Sequence, residues 1–364
     1  MERRGVGVKW REMLSPVAIV AGLVLGVTSA LLVRLGNPGN MGLCMACFER
    51  DIAGALGLHQ AAPVQYLRPE ILGIVLGAAL AALVGREFTA RSGSSPAIRL
   101  VLGAFVMIGA LVFLGCPTRM VLRLGGGDGN ALLGLAGFAL GIYVGTLFLR
   151  GGASLGKSYK GPAWAAWAMP LLALGGVLLV VAKPSFVLFS SRPPGSLHAH
   201  WAVSLGAGAV VGVLGHRSRL CFAGGIRDMI LFRSAHLLSG FAAVFAGVLV
   251  MNIVLGQFHP GFAKQPAAHT AHIWNLMAML LVGLGSVLLG GCPFRQLILA
   301  AQGNGDSAVT VLGMIMGAAL AHNLGLAASG KGVPPAGMIA VVLGLVVSVA
   351  VGLSSREKRI GNLS

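Results

Sequence analysis

The chain has 364 residues, of which 56% are hydrophobic and only 10% are charged, and 56 residues are glycine. Because about a quarter of the residues in an ordinary soluble domain are charged, this composition excludes such a domain and predicts an all-α polytopic membrane protein. The net charge of +17 does not indicate nucleic-acid binding, since most Lys and Arg residues lie in loops between apolar segments.

Ten apolar segments are each long enough, as a helix, to cross most or all of a hydrocarbon layer about 30 Å thick. In chain order they lie near 16–33, 70–85, 98–115, 131–149, 163–182, 198–215, 237–256, 273–290, 308–327 and 336–353. The loops on the N-terminal side carry most of the basic residues, so the positive-inside rule predicts that both termini are cytoplasmic. We expect the first segment to be an uncleaved helix rather than a signal peptide.

All five cysteines lie in four short motifs next to these segments. The motifs are LCMACFERD (43–51), GCPTR (115–119), LCFAGGIRD (220–228) and GCPFR (291–295), and they contain Cys44, Cys47, Cys116, Cys221 and Cys292. The first and third motifs align at a constant offset of 177 positions, and the second and fourth at 176. The matched residues include Cys, Arg, Asp, His and Pro, which chance in an apolar sequence rarely aligns, so we infer an internal duplication.

The duplication predicts five regions. They are a cytoplasmic N-terminal segment (1–13), a first repeat with four spans (14–150), a connector with one span (151–197), a second repeat (198–330), and a last span with a cytoplasmic tail (331–364). An odd number of crossings before the second repeat would invert it. Cys44, Cys47 and Cys116 would then lie toward the outside and Cys221 and Cys292 toward the cytoplasm, an arrangement that recurs in transporters.

The segments around the cysteines are too short to cross a membrane and too apolar for open loops, which favours re-entrant or interfacial helices. Gly-Cys-Pro is typical of a chain break before a helix start. The motif arginines Arg50, Arg119, Arg227 and Arg295 would be costly facing lipid, and they are predicted to line a path. Guanidinium groups and helix N-termini attract oxyanions, and thiols add a polarizable sulfur. The site therefore suits an anion that carries both oxygen and a soft chalcogen.

The cysteine segments and the two Gly-Cys-Pro breaks resemble the YeeE/YedE sulfur-transport family. The stretch GNPGNMGLCMACFERDIAGALGLH followed by QYLRPEILG resembles most the YedE branch, which is assigned to selenium transport. The resemblance implies an hourglass of inverted repeats in the bacterial inner membrane that imports thiosulfate or a related selenium compound. It also implies that Cys44 or Cys47, Cys116, Cys221 and Cys292 relay the anion, and that a cytoplasmic sulfur-carrier or selenium-handling protein receives it.

Other interpretations of these residues remain open. Buried cysteines can serve packing alone, and C-x-x-C at 44–47 could be a redox pair or half of a zinc site. Asp51 and Asp228 are expected to form structural pairs with the neighbouring arginines, and His59 and His236 to be capping or interfacial residues. We predict no cofactor, no metal and no catalytic turnover. The alternative function is a membrane thiol or persulfide oxidoreductase that relays sulfur or electrons to a partner.

Overall fold

The computed structural model describes residues 14–355, so the predicted cytoplasmic segments at 1–13 and 356–364 lie outside the described residues. Fourteen α-helices follow one another: α1 (Pro16–Arg34), α2 (Met45–Ala55), α3 (Pro69–Val84), α4 (Pro96–Phe113), α5 (Pro117–Gly125), α6 (Asn130–Arg150), α7 (Ala168–Ala182), α8 (Trp201–Ser218), α9 (Phe222–Phe232), α10 (His236–Val254), α11 (His272–Leu288), α12 (Pro293–Ala301), α13 (Gly305–Asn323) and α14 (Pro335–Ser354). Two short strands, β1 (Arg91–Ser92) and β2 (Tyr159–Lys160), pair antiparallel.

The prediction of an all-α polytopic membrane protein is confirmed. Within residues 14–355, nine segments are long and apolar enough to cross a membrane. The predicted span at 198–215 corresponds to α8, which is not among the nine and which has His216 and Arg217 in its last turn. Because α8 packs along α3 over several turns, we count it with the other long helices.

The order of long and short helices is the same in α1–α7 as in α8–α14: long, short, long, long, short, long, long. The short helices α2 and α9 have 11 residues each, and α5 and α12 have 9 each. They occupy the four cysteine motifs, where the sequence predicts short re-entrant or interfacial helices. The span predicted as a connector is α7, and it holds the place in the first seven helices that α14 holds in the second seven.

The long helices pack in pairs, each with one member from each half of the chain. The pairs are α1 with α10, α3 with α8, α4 with α13 and α6 with α11. Gly22 of α1 lies against the Gly240 backbone of α10, and Gly26 lies against Val244 four residues further on, so these two helices run parallel. A Cβ atom at either of the α1 positions would collide with a carbonyl oxygen of α10, which is the close approach that small residues permit in membranes.

Helices α4 and α11 hold equivalent places in the two halves, and they also pack against each other. Gly109 of α4 lies against Ala278, whereas Val106, one turn earlier on α4, lies against Gly285, two turns later on α11. The two equivalent helices therefore run antiparallel.

Replacing Gly208 of α8 by alanine tests the importance of these backbone contacts. A Cβ at Gly208 would collide with the carbonyl oxygen of Glu70 on α3, so we expect Gly208→Ala to lower the free energy of unfolding by about 1–3 kcal/mol, as overpacking does. The measurement is thermal unfolding of the purified protein in detergent. Gly206→Ala on the same helix is the control, because nothing lies within 4 Å of a Cβ there. Equal midpoints for the two variants would contradict the prediction.

Candidate functional site

A cysteine precedes each of the four short helices as its N-cap residue: Cys44 for α2, Cys116 for α5, Cys221 for α9 and Cys292 for α12. Proline follows directly in α5 and α12, as the Gly-Cys-Pro motif predicts, because proline suits a first helical turn. In α2 and α9 the cap is the sulfur itself, which accepts a backbone N–H at 3.3 Å from Cys47 and at 3.2 Å from Gly224, respectively.

The capping cysteines meet as two pairs of sulfur atoms. Cys44 Sγ lies 3.9 Å from Cys116 Sγ, and Cys221 Sγ lies 3.7 Å from Cys292 Sγ. All five cysteines are free thiols and all are buried. Each half of the chain therefore brings two broken-helix N-termini together around one thiol pair.

Backbone donors surround the second cysteine of each pair. The backbone N–H groups of Ala46 and Arg119 interact electrostatically with Cys116, and those of Phe222 and Arg295 with Cys292, while neither α5 nor α12 has a cap hydrogen bond to its cysteine side chain. The donors come from both short helices of the half in question, so the positive ends of two helix dipoles converge on one sulfur. The two halves also touch here, since α2 contacts α12 and α5 contacts α9.

Cys47 does not join a sulfur pair in this structure. Its sulfur accepts a hydrogen bond from Arg119 Nη1 at 3.4 Å. The other donors of Arg119 bind three carbonyl oxygens, those of Asn40, Leu114 and Ala267. The position that matches Cys221 in geometry is thus Cys44, whereas Cys47 corresponds to Gly224.

Arg295 of α12 lies at a cavity of about 400 Å³. One of its guanidinium nitrogens, Nη1, is buried and has no hydrogen-bond partner within residues 14–355. Arg86, Arg91 and Arg219 also line the cavity, together with the single acid Glu87. A guanidinium group that lines a basic cavity is suited to bind an oxyanion.

A second cavity, of about 170 Å³, lies among the loops that follow α1, α5 and α10. These elements correspond in chain order to α8, α12 and α3, whose ends form the basic cavity. The lining contains no Lys, Arg, Asp or Glu, and its polar residues are Asn40, Gln257, His259 and Gln265. Asn40 connects it to the first thiol pair, because its carbonyl accepts from Arg119 Nε at 3.1 Å.

Arg50, predicted to line the path, is engaged in a buried ion cluster. Its Nη2 lies 2.6 Å from Asp51 Oδ1, and Arg68 Nε lies 2.7 Å from Asp51 Oδ2. The Arg68 guanidinium also stacks over the rings of Phe48 and Tyr66. Every side chain in this cluster is nearly or fully buried, so the carboxylate links α2 to the start of α3.

The matching residues of the second half lie near the surface. Arg227 and Asp228 pair at 2.8 Å, and their side chains remain 27% and 21% exposed. His236 is the exposed first residue of α10. His59, by contrast, is buried and bonds the Arg50 carbonyl at 3.0 Å. Burial lowers the pKa of His59, so its ring is neutral at neutral pH.

The sequence analysis did not single out four buried titratable residues near the thiols. Arg68 completes the Asp51 cluster, and Arg123 pairs with Asp128 at 2.7 Å. Glu49 of α2 is 1% exposed. Two positions carried a signal, since Arg123 and Asp128 stand in the segment of the first Gly-Cys-Pro; Arg68 and Glu49 carry none that periodicity or spacing reveals. Among residues 14–355, no group of three or more His, Cys, Asp or Glu side chains is arranged to hold a metal ion.

The fold defines a multi-pass α-helical membrane protein. Residues 217–354 are similar to the family whose description is sulphur transport, and this stretch contains the second thiol pair with α9 and α12. No curated protein matches the chain. The family match and the apolar helices together support a membrane sulfur transporter rather than an enzyme.

The two aspartates provide a matched test of burial. Asp51→Asn would leave Arg50 and Arg68 without their buried counter-ion, so we expect it to cost about 3–5 kcal/mol of unfolding free energy. Asp228→Asn removes a partly exposed pair and should cost about 0–1 kcal/mol. The measurement is the unfolding midpoint of each of the two variants in detergent. A cost at Asp228 equal to that at Asp51 would contradict this assignment.

Proposed function

We propose that this chain is a bacterial inner-membrane importer for a small sulfur- or selenium-containing oxyanion. The observation that carries the proposal is the meeting of four broken-helix N-termini as two thiol pairs, one in each half. Converging helix dipoles attract the anionic oxygens, and the polarizable thiols contact the soft chalcogen. Neutral thiols bind weakly, as a conduit requires if its cargo is to leave.

The proposed path begins at the uncharged cavity around Asn40. It passes Arg119 and Cys47, reaches the Cys44–Cys116 pair, crosses to the Cys221–Cys292 pair and ends in the basic cavity of Arg295. Thiols and backbone N–H groups follow one another along this route, so the anion exchanges one set of weak contacts for the next. The unused donor of Arg295 then receives it on the far side.

Orientation follows from the charge of the two cavities. The positive-inside rule assigns the arginine-lined cavity to the cytoplasm, in agreement with cytoplasmic termini. The shared helix order and the antiparallel α4 and α11 support an inverted repeat, with the two cavities as its equivalent mouths. Import of an anion against an interior-negative potential costs about 2.3 kcal/mol per charge for each 100 mV.

Thiosulfate and selenium oxyanions such as selenite fit the site equally well by chemistry. The basic cavity would suit an acidic surface of a cytoplasmic sulfur-carrier or selenium-handling protein, which the proposal includes as the receiver. Uptake of radiolabelled thiosulfate against selenite, in cells without other importers, identifies the cargo. Saturable uptake of neither anion would overturn the proposed function.

Removing one sulfur from either pair tests the relay. We expect Cys116→Ala and Cys292→Ala each to lower uptake by at least about tenfold. If a thiol pair stabilises the anion on its path by about 1.4 kcal/mol, losing the pair lowers the rate of passage by a factor of about ten. Uptake of the labelled anion into cells is the measurement, with the amount of protein in the membrane determined in parallel.

Cys47→Ser is the matched control for this pair of variants. It replaces a buried thiol of α2 by a hydroxyl that can still accept from Arg119, and it leaves both sulfur pairs intact, so uptake should fall less than in the alanine variants. Normal uptake by both alanine variants would refute a thiol-guided path.

A membrane thiol oxidoreductase is the second candidate, and the short sulfur–sulfur distances of 3.9 and 3.7 Å favour it. Such an enzyme would form a Cys44–Cys116 or Cys221–Cys292 disulfide during turnover and pass the two electrons to a partner, because the sulfurs of each pair are already in contact. Thiol trapping in intact cells followed by peptide mass spectrometry distinguishes the two functions. The importer predicts free thiols at all five positions, whereas an interconverting disulfide would favour the oxidoreductase.

A further inference from the structure

Glu49 is a buried acid with no partner, located beside the first thiol pair. It lies on the second turn of α2, is 1% exposed, and neither of its carboxyl oxygens has a hydrogen-bond partner within residues 14–355. An ionised carboxylate in such surroundings would lose its hydration without compensation, so the group holds a proton instead.

Two other buried acids near α2 are bonded through at least one oxygen. Asp51 is held by two guanidinium groups, and Glu70 Oε1 accepts from Asn37 at 2.8 Å and from Ser204 at 2.9 Å, whereas Glu70 Oε2 has no partner within residues 14–355. Structural roles explain these two carboxyl groups. Glu49 has no such role, because it links no two elements by a hydrogen bond or an ion pair.

The titratable neighbour whose charge acts on Glu49 is the Cys116 thiol. The adjacent Arg50 is taken by Asp51, and Arg119 by Cys47 and three carbonyls. The other charged or titratable side chains on the elements that pack against α2 or adjoin it are His59, Glu70, Arg99, Arg123, Arg295, Asp306 and His322. An ionised Glu49 would repel an anion that arrives at Cys116, and a proton on Glu49 removes this repulsion between two negative groups.

Glu49 also breaks the correspondence between the two halves. At the constant offset, Arg50 and Asp51 match Arg227 and Asp228, whereas Glu49 matches Ile226. An acid that occurs in only one of the two halves can bind a proton from one side of the membrane and release it to the other.

We infer that Glu49 is a proton-binding site that couples oxyanion import to proton import. Glu49 holds its proton while the anion lies beside Cys44 and Cys116, and it gives that proton up toward the cytoplasm after the anion has moved to the second thiol pair. The carboxylate then takes another proton from the outer side before the next anion arrives. No bond to sulfur changes, and no electrons are transferred. This inference rests on the proposed import function. Each proton carried inward cancels one negative charge of the anion, so it lowers the cost of import against an interior-negative potential.

Proteoliposomes with the full chain test the coupling, with labelled thiosulfate or selenite as the probe. In the intact protein an inward proton gradient should drive accumulation. Glu49→Gln should abolish this accumulation, lowering it by at least about tenfold, but should retain exchange of labelled for unlabelled anion, because exchange needs no net proton movement. Gradient-driven accumulation in Glu49→Gln at the level of the intact protein would overturn the inference.

Glu70→Gln is the matched control, since it neutralises an equally buried acid whose Oε1 already accepts hydrogen bonds from Asn37 and Ser204. It should keep gradient-driven accumulation once the amount of incorporated protein is equalised. Loss of both accumulation and exchange in Glu49→Gln would also count against the inference, since it would make Glu49 part of the path rather than of the coupling.

Infrared spectroscopy tests whether Glu49 is protonated, independently of transport. The carbonyl stretching band of a protonated carboxylic acid should be present in the intact protein at neutral pH and should be lost in Glu49→Gln, but not in Glu70→Gln. An unchanged band in Glu49→Gln would show an ionised Glu49 and would overturn the inference. Absence of exchange by the intact protein, with the band present, would instead overturn the proposed import function.

Discussion

The structure depends on one constraint: a helix that begins in an apolar interior must still provide partners for its first backbone N–H groups. Unsatisfied groups of this kind cost several kcal/mol each in a membrane interior. The four short helices meet this constraint in two ways. In α2 and α9 the sulfur of Cys44 or Cys221 accepts the N–H directly, whereas α5 and α12 begin with a proline directly after Cys116 and Cys292, and proline has no N–H to satisfy. The sulfur pairs are therefore a result of how these helices begin.

The same constraint explains the uneven use of charge in the two halves. The first half encloses its short helix α2 with an ion cluster around Asp51, and a second buried pair joins Arg123 to Asp128. The corresponding Asp228 in the second half pairs near the surface, while Arg295 retains an unused donor at a cavity. One half thus uses its guanidinium groups for cohesion, and the other leaves them available to a ligand.

Much of the fold could be predicted from the sequence, because apolar length, Gly-Cys-Pro and matched offsets are local signals. They predicted the long helices, the short helices at the cysteine motifs and the all-α class. The site was harder to predict. The pairing of Cys44 with Cys116 depends on tertiary packing between segments 72 residues apart. Asp51 was expected to pair with the neighbouring Arg50, and the structure adds Arg68 as a second partner that the sequence did not indicate.

Glu49 illustrates why the remaining part could not be predicted. Its burial follows from α13, α3 and α4 packing around α2, and a lone glutamate beside arginine and aspartate in FERD suggests a solvated ion pair instead. Neither cavity could be predicted either, since each is formed by loops and helix ends that are distant in the sequence.

The glycine contacts between α1 and α10, and between α3 and α8, restrict the ways in which this molecule can move. Each closely packed pair contains one helix from each half, so the two halves are interlocked. A rocking motion of one half as a rigid body against the other would have to separate all of these backbone contacts at once. Alternating access to the two cavities would then require small shifts of the short helices while the long helices stay in place.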